Sequence, residues 1–446
     1  MVGESNGSSL PTNWTNGILG KDALVKGRIG WKGYKKTDLR ESGPIVIGGV
    51  NVKSELYLDL SDVKFLSREK YEESPEIQLG AGDVLLVQRG NGLGDAGYFD
   101  GSIAEATINP TLIILSEFKG DPRFLFYFLT SPEGRERVLS LASGSSIPAL
   151  YQGHLKGLIY PKPPLREQQA IANILGSIDD KIHLNRRMNE TLESMARAIF
   201  KSWFVDFDPV RAKMEGREPV AMAPEAAALF PGSFEESDLG EIPLGWKSCH
   251  VGDVADVNGW TLGGKDALEH VRYIEISEVM RGEIFSIAEY TRGSEPSRAR
   301  RRLRHGDTVL STVRPDRGAY FLCLNPDESL IASTGFAVIT PKKVPWSFAF
   351  AALAREEILQ ELGHLADGGA YPAVRPEVIA NRDIITPGNP RILEQFHVLC
   401  EPLYLRADAN RRESKSLAAT RNALLPKLLS GEIRVKEADT ALGTLA

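Results

Sequence analysis

Residues 166–204 read REQQAIANILGSIDDKIHLNRRMNETLESMARAIFKSWF. Within them Ile171, Leu175, Ile178, Ile182, Asn185, Asn189, Leu192, Ala196, Ile199 and Trp203 follow one another at alternating steps of four and three. A mean step of about 3.5 residues lays these side chains along one line of a helix, the seam on which two helices wind about each other. An offset of 225 carries Ile171 to Phe396 and continues through Cys400, Leu403, Ala407, Asn410, Ser414, Leu417, Arg421, Leu424 and Leu428. The second ladder has polar residues at the same central steps, and asparagine at a core position fixes register and partner. Both ladders run over about 33 residues, far beyond the usual helix. They predict two long helices that pair with each other; the alternative is two amphipathic helices packed separately on their own domains. Arg421 and Ser414 make the second seam imperfect. An antiparallel pair, about 57 Å long over residues 166–204, would set a globular domain at each end in a pseudo-twofold relation.

The rest of the chain repeats with the ladders. Leu10-Pro11-Thr12-Asn13-Trp14 is echoed by Ile242-Pro243-Leu244-Gly245-Trp246, and Gly82-Asp83-Val84-Leu85-Leu86 by Gly306-Asp307-Thr308-Val309-Leu310. Asp95-Ala96-Gly97-Tyr98-Phe99 matches Asp316-Arg317-Gly318 with Tyr320-Phe321, and GSSIPA at 144–149 matches GGAYPA at 368–373. Glu167-Gln168 matches Glu394-Gln395, and Asn185-Arg186-Arg187 matches Asn410-Arg411-Arg412. Units of roughly 200 residues are too long for a solenoid repeat, so this is a duplicated domain-plus-helix module. Before each ladder lie short β-branched runs (Ile45–Ile47, Val84–Val87, Thr111–Leu115, Thr308–Ser311, Phe336–Thr340) punctuated by Gly, Pro, Asn and Asp. Helices are expected at Arg123–Leu129 and Pro345–Leu362. The fold class is α/β (α+β): two globular domains, 1–165 and 242–390, separated by two long antiparallel coiled-coil helices, 166–204 and 391–430. A proline-rich linker occupies 205–241, and a tail expected to fray occupies 431–446.

Composition narrows the chemistry. Hydrophobic residues make up 42% and charged residues 25% of 446, ordinary for a soluble globular protein of two or three domains. No apolar run reaches membrane length and the N-terminus lacks a signal pattern, so a cytoplasmic location is expected. Cys249, Cys323 and Cys400 are far apart with no CxxC, which supports neither a disulfide framework nor a zinc knuckle. Gly92 to Gly97 matches G-x-G-x-x-G after a strand, but Tyr98-Phe99-Asp100-Gly101 cannot open the helix that a dinucleotide site needs. No P-loop, HExxH or base-flipping Asn-Pro-Pro-Tyr/Phe stretch is present, and Glu413-Ser414-Lys415 reads as a solvated helix face. No catalytic residue, metal ligand or cofactor site is expected in this chain.

A net charge of −6 argues against a simple polybasic binder. Local patches are another matter. Arg298, Arg300, Arg301, Arg302 and Arg304 precede His305 and the Gly306-Asp307 strand; clustered like charges call for a polyanionic partner. After that strand come Arg314 and Arg317, where the first unit holds Arg89 and Asn91. Arginine on guanine and asparagine on adenine are standard major-groove contacts. Further candidates are Lys32, Lys35 and Lys36 beside Trp31 and Tyr34, then Ser145, Ser146, Tyr151, Gln152 and His154. In the second unit Trp260, Lys265, Tyr371 and Arg375 hold similar places. Matching loops that differ in side chains on a repeated scaffold suit two readers of two different sequences.

Three stretches bear a family likeness. REQQAIANILGS (166–177) with Ile178-Asp179-Asp180-Lys181-Ile182 and Asn185–Leu192, then Phe200–Val210 with Lys213–Arg217 and Leu239–Trp246, and finally LLPKLLSGEI (424–433), resemble the conserved regions of the specificity (S) subunits of type I restriction-modification systems. The resemblance implies that each globular unit is a target-recognition domain reading one half of a split double-stranded DNA sequence. It implies that the two long helices set the gap between halves and dock methyltransferase (M) subunits, two of them, which bind S-adenosylmethionine and methylate adenine. Restriction (R) subunits, with ATP and Mg, would join through them. The S chain itself would be non-catalytic. A stand-alone restriction or methylation enzyme and a non-DNA scaffold are the alternatives.

Overall fold

The computed structural model of the chain describes residues 11–27, 33–144, 148–264, 266–369 and 372–435. The chain divides into two units, Met1–Asn185 with Arg412–Ala446, and Arg186–Arg411.

The first unit runs β1 (Thr15–Ile18), α1 (Leu19–Asp22), β2 (Leu24–Lys26), β3 (Leu39–Ile47), β4 (Lys64–Leu66), α2 (Arg68–Glu72), β5 (Val84–Val87), β6 (Ala96–Tyr98), β7 (Ala106–Ile108) and β8 (Leu112–Ser116). Then follow α3 (Pro122–Thr130), α4 (Pro132–Ser140), α5 (Gln152–Leu155), β9 (Ile159–Lys162) and the long α6 (Leu165–Phe204), whose residues to Asn185 belong to this unit. The central sheet has the order β2-β8-β5-β6, beside a three-stranded sheet β4-β3-β7 and the pair β1-β9. Strands β5 and β8 are buried throughout, because both of their faces are covered. Side chains alternate across a strand: Val84, Leu86, Ile113 and Leu115 face one core with α3, and Leu85, Val87, Leu112 and Ile114 face another with Ile47 and Ile108. Asp121 accepts the Phe124 N–H at 3.0 Å and Pro122 opens α3; Ser131 accepts the Gly134 N–H at 3.0 Å and Pro132 opens α4.

The second unit begins in α6 and continues through α7 (Asp208–Met214), α8 (Pro224–Ala228) and the hairpin β10 (Phe234–Ser237) and β11 (Gly240–Pro243). Its domain runs β12 (Lys247–His250), α9 (Val251–Val254), β13 (Ala255–Val257), β14 (His270–Ile274), the hairpin β15 (Val279–Met280) and β16 (Glu283–Ile284), β17 (Ala288–Thr291), β18 (Ala299–Arg302), β19 (Asp307–Ser311), β20 (Tyr320–Cys323), β21 (Leu330–Ser333) and β22 (Phe336–Pro341). α10 (Trp346–Leu353), α11 (Glu356–His364), α12 (Pro376–Ala380), β23 (Asp383–Thr386) and the long α13 (Pro390–Ser430) complete it, the last to Arg411. The sheet order β13-β22-β19-β20 reproduces that of the first unit, β17-β14-β21-β18 carries a parallel pair β14·β21 as β3·β7 does, and β12-β23 matches β1-β9. The duplication legible in the sequence is therefore a duplication of topology. The expected single helix over Pro345–Leu362 is two, α10 and α11, broken at Ala354-Arg355. The apolar α10 is almost wholly buried, whereas α11 buries only Ile358, Leu359 and Leu362, so each half takes its own direction.

Each unit contains its own antiparallel pairing of α6 with α13. In the first, Asn185 Nδ2 donates to Glu413 Oε2 at 2.8 Å, Lys181 lies 3.3 Å from the same oxygen, and Arg421 reaches Asp179 at 2.5 Å. In the second, Asn410 Nδ2 donates to Asn189 Oδ1 at 2.8 Å, Asn189 Nδ2 donates to the Ala407 carbonyl at 3.1 Å, and Arg411 pairs with Glu193. Ile171, Leu175, Ile178, Ile182, Asn185, Phe396 and Asn410 are buried as expected. Leu192, Ile199, Leu403, Leu417 and Leu424 are only half-buried, while Phe200, Tyr404 and Leu425 sit deeper. An α-helix turns every 3.6 residues, so a strict 3.5 ladder drifts off the contact line towards its ends. α13 passes through Pro402 and Pro426. The carbonyls they leave without a donor belong to Val398 and Asn422, both exposed to water.

The expected fraying after α13 is corrected for its first residues. Gly431, at φ +73°, ends the helix in the left-handed region, and a Cβ there would meet Pro11 at 2.3 Å. Ile433 and Val435 pack on the first unit's core, and Arg434 lies 3.1 Å from Glu167. The remainder of the tail lies outside the described residues.

Candidate nucleic-acid interface

In each unit one backbone contact brings two distant loops together. Leu150 N–H donates to the Gln88 carbonyl at 2.9 Å, and Ser143 and Ala149 exchange two hydrogen bonds of 3.0 Å. Val374 N–H donates to the Thr312 carbonyl at 2.8 Å, and Asp367 and Ala373 exchange bonds of 3.1 and 2.9 Å. The loop leaving the central strand thus lies beside the segment that enters α5 or α12.

In the first unit this juxtaposition gathers exposed Arg89 and Asn91 with Tyr151, Gln152 and His154. Tyr151 is 55% exposed, a large aromatic with no core to fill. Its ring meets His154 edge-on at 5.9 Å. The Gln152 amide lies so close to Gly27 that a Cβ there would stand 2.6 Å from Nε2, which brings the end of β2 to the same place. The loop itself is a braced turn rather than a flexible one. Gly94 takes φ +83° and donates to the Val87 carbonyl, while Arg135 holds Asp95 at 2.6 Å. No helix opens after Gly92–Gly97; Ala96 and Gly97 already belong to β6. Lys35 and Lys36 are exposed on the loop before β3, where Asp38 accepts the Lys35 N–H at 2.6 Å.

In the second unit the same place holds Arg314, Arg317 and Arg375. Arg314 sits at φ +46° with its N–H donating to the Pro372 carbonyl at 3.0 Å, and Gly318, at φ +78°, closes the turn as Gly94 does. Arg317 and Arg375 are exposed. A depression of about 260 Å³ is lined by Arg314, Asp316 and Arg317 together with Gln360 and His364 of α11. Sequence reading missed Gln360 and His364. They come from a helix about 50 residues from the loop, and only the topology brings them beside it.

The arginine run divides. Arg300 is half-buried and its Nε donates to the Ser297 carbonyl at 3.2 Å. Arg302, expected as a DNA contact, has partners within the fold: its side chain is 11% exposed, lies 3.1 Å from the Asp266 carboxylate and stacks 4.0 Å from the Trp260 ring centre. Arg304 covers the same ring at 4.4 Å. Cation–π stacking and a half-buried ion pair explain these charges without a ligand. Lys32, Ser145, Ser146, Lys265 and Tyr371, with Trp31, lie outside the described residues.

The repeated Gly-Asp pair is scaffold. Gly82 and Gly306 have φ +92° and +85°, and a Cβ on Gly306 would collide with Trp346 at 2.7 Å. The following aspartate caps the turn: Asp83 accepts the Gly80 N–H at 2.8 Å, and Asp307 accepts the Arg304 N–H and the Thr340 hydroxyl, each at 2.7 Å. Burial pushes the Asp307 carboxyl up to about 6, against the opposing pull of those hydrogen bonds and the Arg304 charge. Burial raises Asp83 in the same direction.

Glu413 of the Glu-Ser-Lys triplet serves Asn185 and Lys181. Among the described residues no cluster of three or more His, Cys, Asp or Glu could hold a metal ion, and no helix is long and apolar enough to cross a membrane. What the two faces offer is arginine, amide and aromatic groups at the rims of rigid sheets, the inventory of polar recognition.

Residues 31–194 match the family described as the type I restriction modification DNA specificity domain. The chain is 24% identical over 318 residues to the type I restriction enzyme MjaIX specificity subunit of Methanocaldococcus jannaschii, covering 70% of this chain and 69% of that one. It is 25% identical over 442 residues to the HindI specificity subunit of Haemophilus influenzae, covering 85% and 91%. In fold it resembles the crystal structure of a type I restriction-modification S subunit from M. genitalium, with a TM-score of 0.56 and 15% identity over 96% of this chain and 98% of that one.

Proposed function

Because this chain belongs to the specificity subunits of type I restriction-modification systems, a non-catalytic family, we propose that it reads a two-part DNA sequence, one part with each unit. The observation that carries this reading is the pair of equivalent faces. The same backbone contact presents Arg89, Asn91, Tyr151 and Gln152 in one unit and Arg314, Arg317 and Arg375 in the other. A shared scaffold with different polar tips is what two different base sequences require, since bases are told apart by donor and acceptor patterns in the major groove.

The paired helices α6 and α13 set the gap between the two parts of the target, and the family resemblance assigns them a second task, docking two modification subunits. Those subunits supply S-adenosylmethionine and methylate adenine; restriction subunits with ATP and Mg join through them. This chain contributes no residue to either reaction. Partner chains also complete a positive channel that a chain of net charge −6 does not build alone.

The test is binding and methylation with and without the modification subunit. With it, the complex binds duplex DNA with an affinity that falls steeply as salt rises, and methylates one bipartite sequence. Without it, the pure chain given S-adenosylmethionine and DNA transfers no methyl group. Methyl transfer by the chain alone would make it an enzyme. A complex indifferent to DNA would leave only a protein scaffold.

A further inference from the structure

Three polar side chains meet inside the first unit. The Tyr127 hydroxyl of α3 donates to Asp179 Oδ2 of α6 at 2.8 Å, and Arg421 of α13 reaches Asp179 Oδ1 at 2.5 Å. Tyr127 is 1% exposed and Asp179 5%. The corresponding positions of the second unit hold no charged group. The offset of 225 carries Asp179 to Tyr404, and Arg421 stands where α6 has Ala196. Tyr127, three residues after Phe124 in α3, corresponds to Ala351, three after Phe348 in α10. Ala196, Ala351 and Tyr404 are buried in one apolar cluster, with the Tyr404 ring edge-on to Phe350 at 5.3 Å. One unit closes on a buried ion pair under a tyrosine of the domain; the other closes on a tyrosine of the long helix over two alanines.

We infer that this difference makes α6 and α13 accept each other and reject their own copies in a second chain. A duplicated module carries a hazard: the two ladders are alike, so α6 of one chain could pair antiparallel with α6 of another. In that pairing Asp179 faces Ala196 twice, and the facing position offers no cation. α13 against its own copy sets Arg421 against Tyr404 twice, with no anion. A buried charge without its partner is strongly disfavoured, and polar residues on a helix seam choose partners in this way. Only α6 with α13 satisfies Asp179 and Arg421 together. The irregular Arg421 of the second ladder thereby acquires a role, and the excluded partner is a second copy of this chain. Nothing here depends on DNA reading.

The experiment co-expresses two full-length chains with different affinity tags, without DNA or other subunits, and measures capture of one by the tag of the other, with molar mass by light scattering. The wild type shows little capture. Two triple variants remove the difference between units: Tyr127→Ala with Asp179→Tyr and Arg421→Ala, and Ala351→Tyr with Tyr404→Asp and Ala196→Arg. In either, each long helix matches its own copy, and capture rises by about tenfold or more. Leu175→Ala opens a cavity in the same buried seam and leaves Asp179 paired with Arg421, so it weakens the unit and stays at the wild-type level. Circular dichroism identifies which triple variants fold, and one folded triple suffices. Folded triples that capture no more than wild type overturn the inference. So does an equal rise in Leu175→Ala, and so does loss of fold in both triples, since the two residue sets would then not be interchangeable.

Discussion

Single residues separate scaffold from reader. Asp307 holds its proton to about pH 6 because burial disfavours the charge, whereas an unfolded aspartate titrates near 3.9. The folded state therefore binds the extra proton between those values. The stability this group contributes is present below about pH 4 and is lost as pH rises through about 6. Asp307→Asn can accept the Arg304 N–H through Oδ1 and donate Nδ2 to the Thr340 hydroxyl oxygen, and it cannot ionise. Thermal unfolding of the variant should lack this decline, gaining about 2–3 kcal/mol on wild type between pH 4 and 7; parallel pH profiles would contradict the assignment. A second contrast concerns arginines. Arg317 and Arg375 are exposed, so Arg317→Ala or Arg375→Ala should leave the unfolding temperature nearly unchanged. Methylation by the assembled complex should then relax at one base pair, by about 1–3 kcal/mol of discrimination. Arg302→Ala should do the reverse, lowering the melting temperature through the lost Trp260 and Asp266 contacts and leaving base choice alone. The sequence showed all three only as arginines in or beside loops. What told them apart was one strand and one tryptophan ring, which residue spacing does not encode.

At the scale of elements, the polar steps of the ladder were legible and their bonds follow. Asn189 and Asn410 are buried and share a hydrogen bond of 2.8 Å. Asn410→Leu strands the Asn189 carbonyl oxygen and should cost about 1–3 kcal/mol in denaturant unfolding. Adding Asn189→Leu removes the stranded group, so the double variant should recover most of that loss and can exceed wild type; a double variant worse than the sum of singles would mean the layer serves packing. The helices and the central strands were readable because long periodic or unbroken apolar runs leave few alternatives. Two of the repeat echoes were not what they looked like. Leu86 pairs with Ala96 and Leu310 with Tyr320, so Tyr98-Phe99 and Tyr320-Phe321 stand two places out of register. Gln168 is buried and bridges the Pro163 carbonyl to the Asp121 N–H, while Gln395 sits where the first unit has Ala170. Short motifs repeat by chance within a composition; strand register does not. By contrast Trp14 and Trp246 each donate their N–H back to Pro11 and Pro243, and the Ala149 and Ala373 bridges coincide. Those echoes were true because a backbone contact fixes them.

For the whole molecule, the consequence of two units with the same topology and separate cores is modularity. Trp14, Phe124, Ile171 and Leu428 belong to a cluster of the first unit, and Phe204, Trp246, Phe348 and Phe396 to one of the second. Residues that tie each domain to its own half of the helices, such as Tyr127 on Asp179 and Phe348 on Phe396, differ in kind between units, so a transplanted domain must carry the anchor that the resident helices expect. Exchange of residues 11–163 for the matching segment of a relative, with Tyr127 and Asp179 retained, should therefore fold. In the assembled complex, sequencing of methylated DNA should then show one part of the target replaced and the other part, with the gap, unchanged. The complementary exchange of 242–388 should replace the other part. If either exchange altered both parts, base reading would be a joint property of the two units; if neither altered any, the loops beside Gln88 and Thr312 would not be the readers.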